Sequence, residues 1–115
     1  MAESLNQTIQ TALEDLKAED LVMLDVREIS DVTDWMVVCT GTSSRHIKSL
    51  ANNVVVECKK TGEAPIGVEG EQSNEWVLVD FGDVVVHVMT ATAREFYDLE
   101  KLWSTPPASR QLNQE

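Results

Sequence analysis

The sequence contains no Asp-x-Asp pair, the arrangement that brings two carboxylates onto one strand face to hold a catalytic metal. Asp31 with Asp34, and Asp80 with Asp83, stand three apart, a spacing that turn chemistry explains without an ion. No metal or cofactor site is expected. Basic residues are also scarce, since nine Lys and Arg face twenty Asp and Glu and leave a formal charge of −11. Such a field repels a phosphate backbone, which argues against direct DNA or non-specific RNA binding. A basic protein is the natural partner, and solubility alone is the plainer reading. The two cysteines, Cys39 and Cys58, belong to no CxxC and no His/Cys cluster, so they read as small core residues. No apolar run approaches about 18 residues and no basic-apolar leader opens the chain, so the expectation is a cytoplasmic protein without membrane contact.

What is present is a strongly patterned single domain. A chain of 115 residues can bury roughly two-thirds of its unfolded surface in one core. The most informative stretch is Glu75-Trp-Val-Leu-Val-Asp-Phe-Gly-Asp-Val-Val-Val-His-Val-Met89, which reads as a β-hairpin turning at Gly82-Asp83. That turn pairs Phe81 with Val84, Asp80 with Val85, Leu78 with His87 and Trp76 with Met89. Alternation then separates two faces. Val77, Val79, Phe81, Val84, Val86 and Val88 form a wholly apolar one, the core side. Trp76, Leu78, Asp80, Val85, His87 and Met89 share the other, whose mixture of aromatic, acid and imidazole suits a recognition surface better than a closed interior.

Around the hairpin, Ser4 with Gln7 has capping-box spacing, and Leu5, Ile9, Ala12, Leu13 and Leu16 predict a first helix to about residue 18. Residues 21–27 and 35–41 predict a second strand pair across the polar turn at Ser30-Asp31. Thr42, Ser43 and Ser44 cap a long helix with Ile47, Leu50, Ala51, Val54, Val55 and Cys58 on one side and a basic end at Lys59, Lys60 and Gly62. Pro65 to Gly70 suggests a short edge strand. Thr92 with Glu95 repeats the capping spacing before Phe96, Leu99, Leu102 and Trp103, a short helix stopped by Pro106-Pro107 and followed by a loose tail. The pattern is α/β (α+β), a mixed β-sheet layered with helices, with one domain over residues 1–104 and a tail over 105–115.

Two segments invite an enzymatic reading. Gly41-Thr-Ser-Ser-Arg-His46 sits at a strand-to-helix junction where anions bind, but it has neither P-loop nor GxGxxG spacing, and capping alone accounts for Thr42 and Ser43. His46 has no nucleophile paired with it. His87, on the mixed hairpin face with Asp80, is the better candidate for polar work, with cross-strand packing as the bland alternative. A nucleotide-binding or transferase enzyme and a generic acidic adaptor therefore stand as rival classes.

Beyond residue chemistry, Asp34-Trp-Met-Val-Val-Cys-Thr-Gly-Thr-Ser-Ser-Arg-His46, Gly67-Val-Glu-Gly70, the hairpin, and Arg94-Glu-Phe-Tyr-Asp-Leu-Glu-Lys-Leu-Trp103 resemble, in order, the successive motifs of the ribosomal silencing factor family, also called Iojap-like proteins. The resemblance spans residues 5–104. It implies a nucleotidyltransferase-like fold without catalytic acids, hence a non-enzyme without cofactor. It further implies a homodimer-forming translational repressor that binds the universal large-subunit ribosomal protein number fourteen and hinders joining of the small subunit when nutrients fail. Carried over to this sequence, the partner-binding residues it implies are Trp76, Leu78, Asp80 and His87, followed by Asp83. Trp76 and Leu78 would form the apolar centre, with Asp80, and Glu75 or Asp83, facing Lys or Arg of the partner. The same face could instead serve the dimer, or both in turn.

Overall fold

The computed structural model describes residues 2–97, with side chains from residue 4 onward. Their order is α1 (Ala2–Asp15), β1 (Glu19–Asp25), β2 (Trp35–Gly41), α2 (Ser44–Lys60), β3 (Gly67–Glu69), β4 (Trp76–Asp80), β5 (Val84–Thr90) and α3 (Ala91–Tyr97). The strands make one mixed sheet in the order β1-β2-β5-β4-β3. A β1–β2 hairpin and a β3–β4–β5 meander are each antiparallel. They meet in a parallel β2–β5 pair that runs from Trp35↔Val84 to Gly41↔Thr90. A parallel pair needs a crossover between its strands, and α2 lies within that connection.

The β4–β5 register is the one the alternation demands, with Trp76↔Met89, Leu78↔His87 and Asp80↔Val85 opposed. Phe81 N–H donates to the Val84 carbonyl at 2.9 Å and closes the turn. Gly82 there has φ +87°, a left-handed conformation that glycine adopts without penalty. The Asp80 carboxylate accepts its N–H at 2.8 Å.

Val77, Val79, Val84, Val86 and Val88 are fully buried, against Leu5, Ile9 and Leu13 of α1 and Ile47, Leu50, Val54 and Cys58 of α2. Each such aliphatic contributes about 1.5–3 kcal/mol by leaving water. The α2 positions recur every three or four residues, so one stripe of that helix carries the contact. Ser43 caps it, its Oγ accepting from His46 N–H at 3.1 Å. Two side chains of α2 also reach α1 and the turn just after it. Asn53 Nδ2 donates to the Ala12 carbonyl at 2.8 Å, and His46 Nε2 lies 2.7 Å from the Leu16 carbonyl.

Local corrections concern helix ends. Because α1 begins at Ala2, Ser4 lies inside it and its carbonyl accepts from Thr8 Oγ1 at 3.1 Å; Ser4 is not the cap. The helix stops at Asp15, short of residue 18, where the chain turns through Lys17 at φ +62°. α3 begins at Ala91, with Thr90 Oγ1 accepting from Ala93 N–H at 3.3 Å, so Thr90 takes the place expected of Thr92. Leu99, Leu102, Trp103, Pro106, Pro107 and the expected tail lie outside the described residues.

A larger correction concerns the mixed hairpin face, expected to be open. Met89 is fully buried and His87 only 6% exposed. β5 is the central strand, and on this side Met89 joins Val26, Met36, Val38 and Ala93 in a second, smaller core, with Leu24, Ile29 and Trp76 against it. Sequence alternation cannot show that α3 and the residues after β1 return to cover Met89 and His87.

Candidate functional site

What the described residues leave uncovered on that face is built around Trp76. Its indole N–H donates to His87 Nδ1 at 3.1 Å, an interaction the Leu78↔His87 and Trp76↔Met89 register makes possible by placing the two rings on adjacent strands. The rings lie 5.7 Å apart at 46°. From the other side Tyr97 of α3 packs on Trp76 with centroids 4.6 Å apart at 47°, and Phe96 meets Tyr97 edge-on at 4.9 Å. Below the indole, Ser73 Oγ accepts from the backbone N–H groups of Glu75 and Trp76. Gly70 closes the loop, with φ +83° and so close an approach that a Cβ there would lie 2.3 Å from the Trp76 carbonyl oxygen. The result is an indole held by three elements.

His87 plays a different part from the one expected of an exposed imidazole. Burial pushes its pKa down to about 4, and Nδ1 must be unprotonated to accept from Trp76. At neutral pH the ring is uncharged and acts on the surface through Trp76. Leu78 and Asp80 are half-buried beside it, and Asp80 gives one carboxylate oxygen to the turn. A shallow groove of about 320 Å³ is lined by Glu69, Gly70, Ser73, Trp76 and Leu78. Asp83 is exposed in the turn, where its carbonyl accepts from Thr33 Oγ1 and from the N–H groups of Asp34 and Trp35. Trp76, Leu78 and His87 thus come together, with Asp80 next along the strand and Asp83 beyond the sheet.

Tyr97 is the residue that sequence reasoning missed. Phe96, one of the spaced apolar residues that predict the last helix, is 78% exposed and Tyr97 47%; Ala93 is the buried residue of α3. The aromatic pair next to the conspicuous Arg94 was the available signal. Arg94 itself anchors α3, donating to Thr40 Oγ1 at 3.0 Å and to the Asp20 carbonyl.

The rival segment at residues 41–46 spends its polar groups on the fold. Thr42 N–H donates to His46 Nδ1 at 2.9 Å, so His46 Nε2 carries the proton that reaches the Leu16 carbonyl. Gly41 is required by packing, since a Cβ there would stand 2.6 Å from the Ile47 side chain. Around Asp31, Ser30 Oγ accepts from Val32 and Thr33 N–H, an ordinary polar turn. Cys39 and Cys58 are buried and unpaired, with desolvation pushing their thiols up to about 12 and about 11. Among the described residues no group of three or more His, Cys, Asp or Glu could hold a metal ion, and no helix is long and apolar enough to cross a membrane.

Fold and face together define a small α/β protein with a five-stranded mixed sheet and a pre-organised aromatic patch on its less covered side. A family model described as "Ribosomal silencing factor during starvation" matches residues 1–115, and the chain belongs to the ribosomal silencing factor family. It is 46% identical over 101 residues to the ribosomal silencing factor of Haemophilus influenzae, covering 88% of this chain and 99% of that protein. A mouse protein named for mitochondrial assembly of the ribosomal large subunit is 33% identical over 102 residues, covering 84% of this chain and 44% of its own length. Among solved structures, a crystal structure of a Chromobacterium violaceum protein superposes with a TM-score of 0.88 at 44% identity, covering 90% of this chain and 87% of that one.

Proposed function

We propose that this chain silences ribosomes by docking on the large subunit, through its universal ribosomal protein number fourteen, and standing where the small subunit must join. The observation that carries the reading is the Trp76 indole, fixed by His87 and Tyr97 beside Leu78 and Asp80 on a chain of charge −11. A rigid, partly exposed Trp flanked by aliphatic and acidic side chains is the composition of an interface centre, and Trp is among the residue types most enriched there. Asp80 and Asp83 orient a basic partner, and the wider acidity speeds encounter with it while discouraging contact with rRNA. The mouse relative's name also concerns the ribosomal large subunit.

On this reading the protein is a cytoplasmic, non-enzymatic repressor that works by occupying space. A homodimer through the same face is the second reading of Trp76 and Leu78, with that face serving the dimer, the ribosome or both in turn. Co-sedimentation tests the binding step. Purified protein travels with isolated large subunits and not with small ones; failure to travel with large subunits would overturn the proposal.

A further inference from the structure

The opposite face of the sheet carries a feature that ribosome docking leaves unused. A groove of about 390 Å³ runs between α2 and the meander, lined by Lys48, Ala51, Asn52, Val55 and Lys59 from the helix and Pro65, Val68, Glu71 and Val77 from the other side. Its helical wall is a single stripe, because Lys48, Ala51 or Asn52, Val55 and Lys59 follow one another at intervals of three or four. Val55, Val68 and Val77 give it an apolar floor.

Charge is distributed unusually here. α2 holds Arg45, Lys48, Lys59 and Lys60, four of the nine basic residues in the chain, against Glu57 as its one acid. Glu57 pairs with Lys60 at 2.9 Å. Lys48 and Lys59, at the two ends of the groove, form no ion pair with another described residue. Glu71 on the opposite wall is the one acid of the lining, so the groove keeps a net positive charge, and on so acidic a protein two uncommitted cations along its helical wall are complementary to an anionic, partly apolar ligand. The second wall supplies a backbone ligand as well. β3 is the end strand of the sheet, so its outer edge has no strand partner among the described residues. A strand edge beside a helix is the geometry in which extended peptides add to a sheet, main chain on the edge and alternate side chains in the groove.

We infer that this groove binds an extended acidic peptide segment of another protein, added alongside β3, with an apolar side chain over Val55 and Val68 and carboxylates at Lys48 and Lys59. Eleven residues of helix separate the two lysines by about 16 Å. Five extended residues span about 13 Å, and the flexible lysine stems close the difference. Because Val68 and Val77 point to this side and Trp76 and Leu78 to the other, the inference stands or falls independently of ribosome docking.

The test titrates the full chain, labelled with nitrogen-15, with a blocked Glu-Thr-Val-Thr-Glu peptide and with Lys-Thr-Val-Thr-Lys. The acidic peptide should give saturable amide shifts at residues 67–69 and around Val55 and Lys59 by about 1 mM, the weak end of specific recognition. The lysine peptide should not, and K48E/K59E should reverse the preference. Absence of saturable shifts, an equal response to both peptides, or shifts confined to the Trp76 face would overturn it. Sedimentation velocity covers a different occupant: a wild-type dimer that K48E/K59E dissociates would assign the groove to a second copy and also overturn the inference.

Discussion

Trp76 and His87 illustrate how much one hydrogen bond decides. The indole N–H needs an acceptor when half-buried, and the neutral imidazole supplies it, so a residue expected to do polar work on an open face is the buried brace of an aromatic one. Trp76→Ala should therefore weaken binding to large subunits by about 2 kcal/mol or more while leaving thermal unfolding cooperative. Unchanged co-sedimentation would remove this face from the interface. His87 also makes a pH prediction. Its folded pKa of about 4 lies below the ordinary 6.5, so the unfolded chain takes up the proton first. The stability it contributes is present above pH 6.5 and drains away as pH falls towards 4, by about 3 kcal/mol at most. Urea unfolding at neutral and acidic pH should show His87→Gln losing less stability than the wild type; equal losses would contradict the buried-neutral assignment.

At the scale of elements, the hairpin was fully legible because a period of two and a Gly-Asp turn determine its register, and β4–β5 pair as that logic requires. Helix α2 was legible for a similar reason, its cap, stripe and basic end agreeing. Other elements were not. Ser4 and Thr92 had capping-box spacing, yet α1 starts earlier and Thr90 caps α3, since a cap is chosen by where the chain must turn and spacing alone does not say. The exposure of the mixed face is not legible in the sequence because the parallel β2–β5 pairing and the return of α3 are long-range events, and they bury Met89 and His87 while bringing Tyr97 onto Trp76. Gly70 tests how closely the loop before β4 supports that site. Gly70→Ala combines a left-handed backbone with a clash on the Trp76 carbonyl and should cost about 1–3 kcal/mol in urea unfolding. An unchanged unfolding midpoint would show that the loop bears no part of the support.

Among the described residues the molecule is a sheet with one deeply covered face and one less covered face, set in an acidic field. The covered face explains the fold, through α1, α2 and five valines; the other offers the aromatic patch. A charge of −11 acts over roughly the 10 Å Debye length at 0.1 M salt, so it governs encounter more than final affinity. Stopped-flow association with large subunits should slow by about tenfold or more between low and high salt, with a much smaller change in dissociation. A salt-independent association rate would separate the acidity from ribosome encounter and leave it as a solubility device.

The most direct test of the central claim is subunit joining itself. Isolated small and large subunits are mixed at limiting magnesium, with and without the purified protein, and resolved on a sucrose gradient. The wild-type protein should reduce the joined-ribosome peak and appear in the large-subunit fractions, while Trp76→Ala should do neither. An undiminished joined peak with the wild-type protein bound to the large subunit would contradict silencing by obstruction.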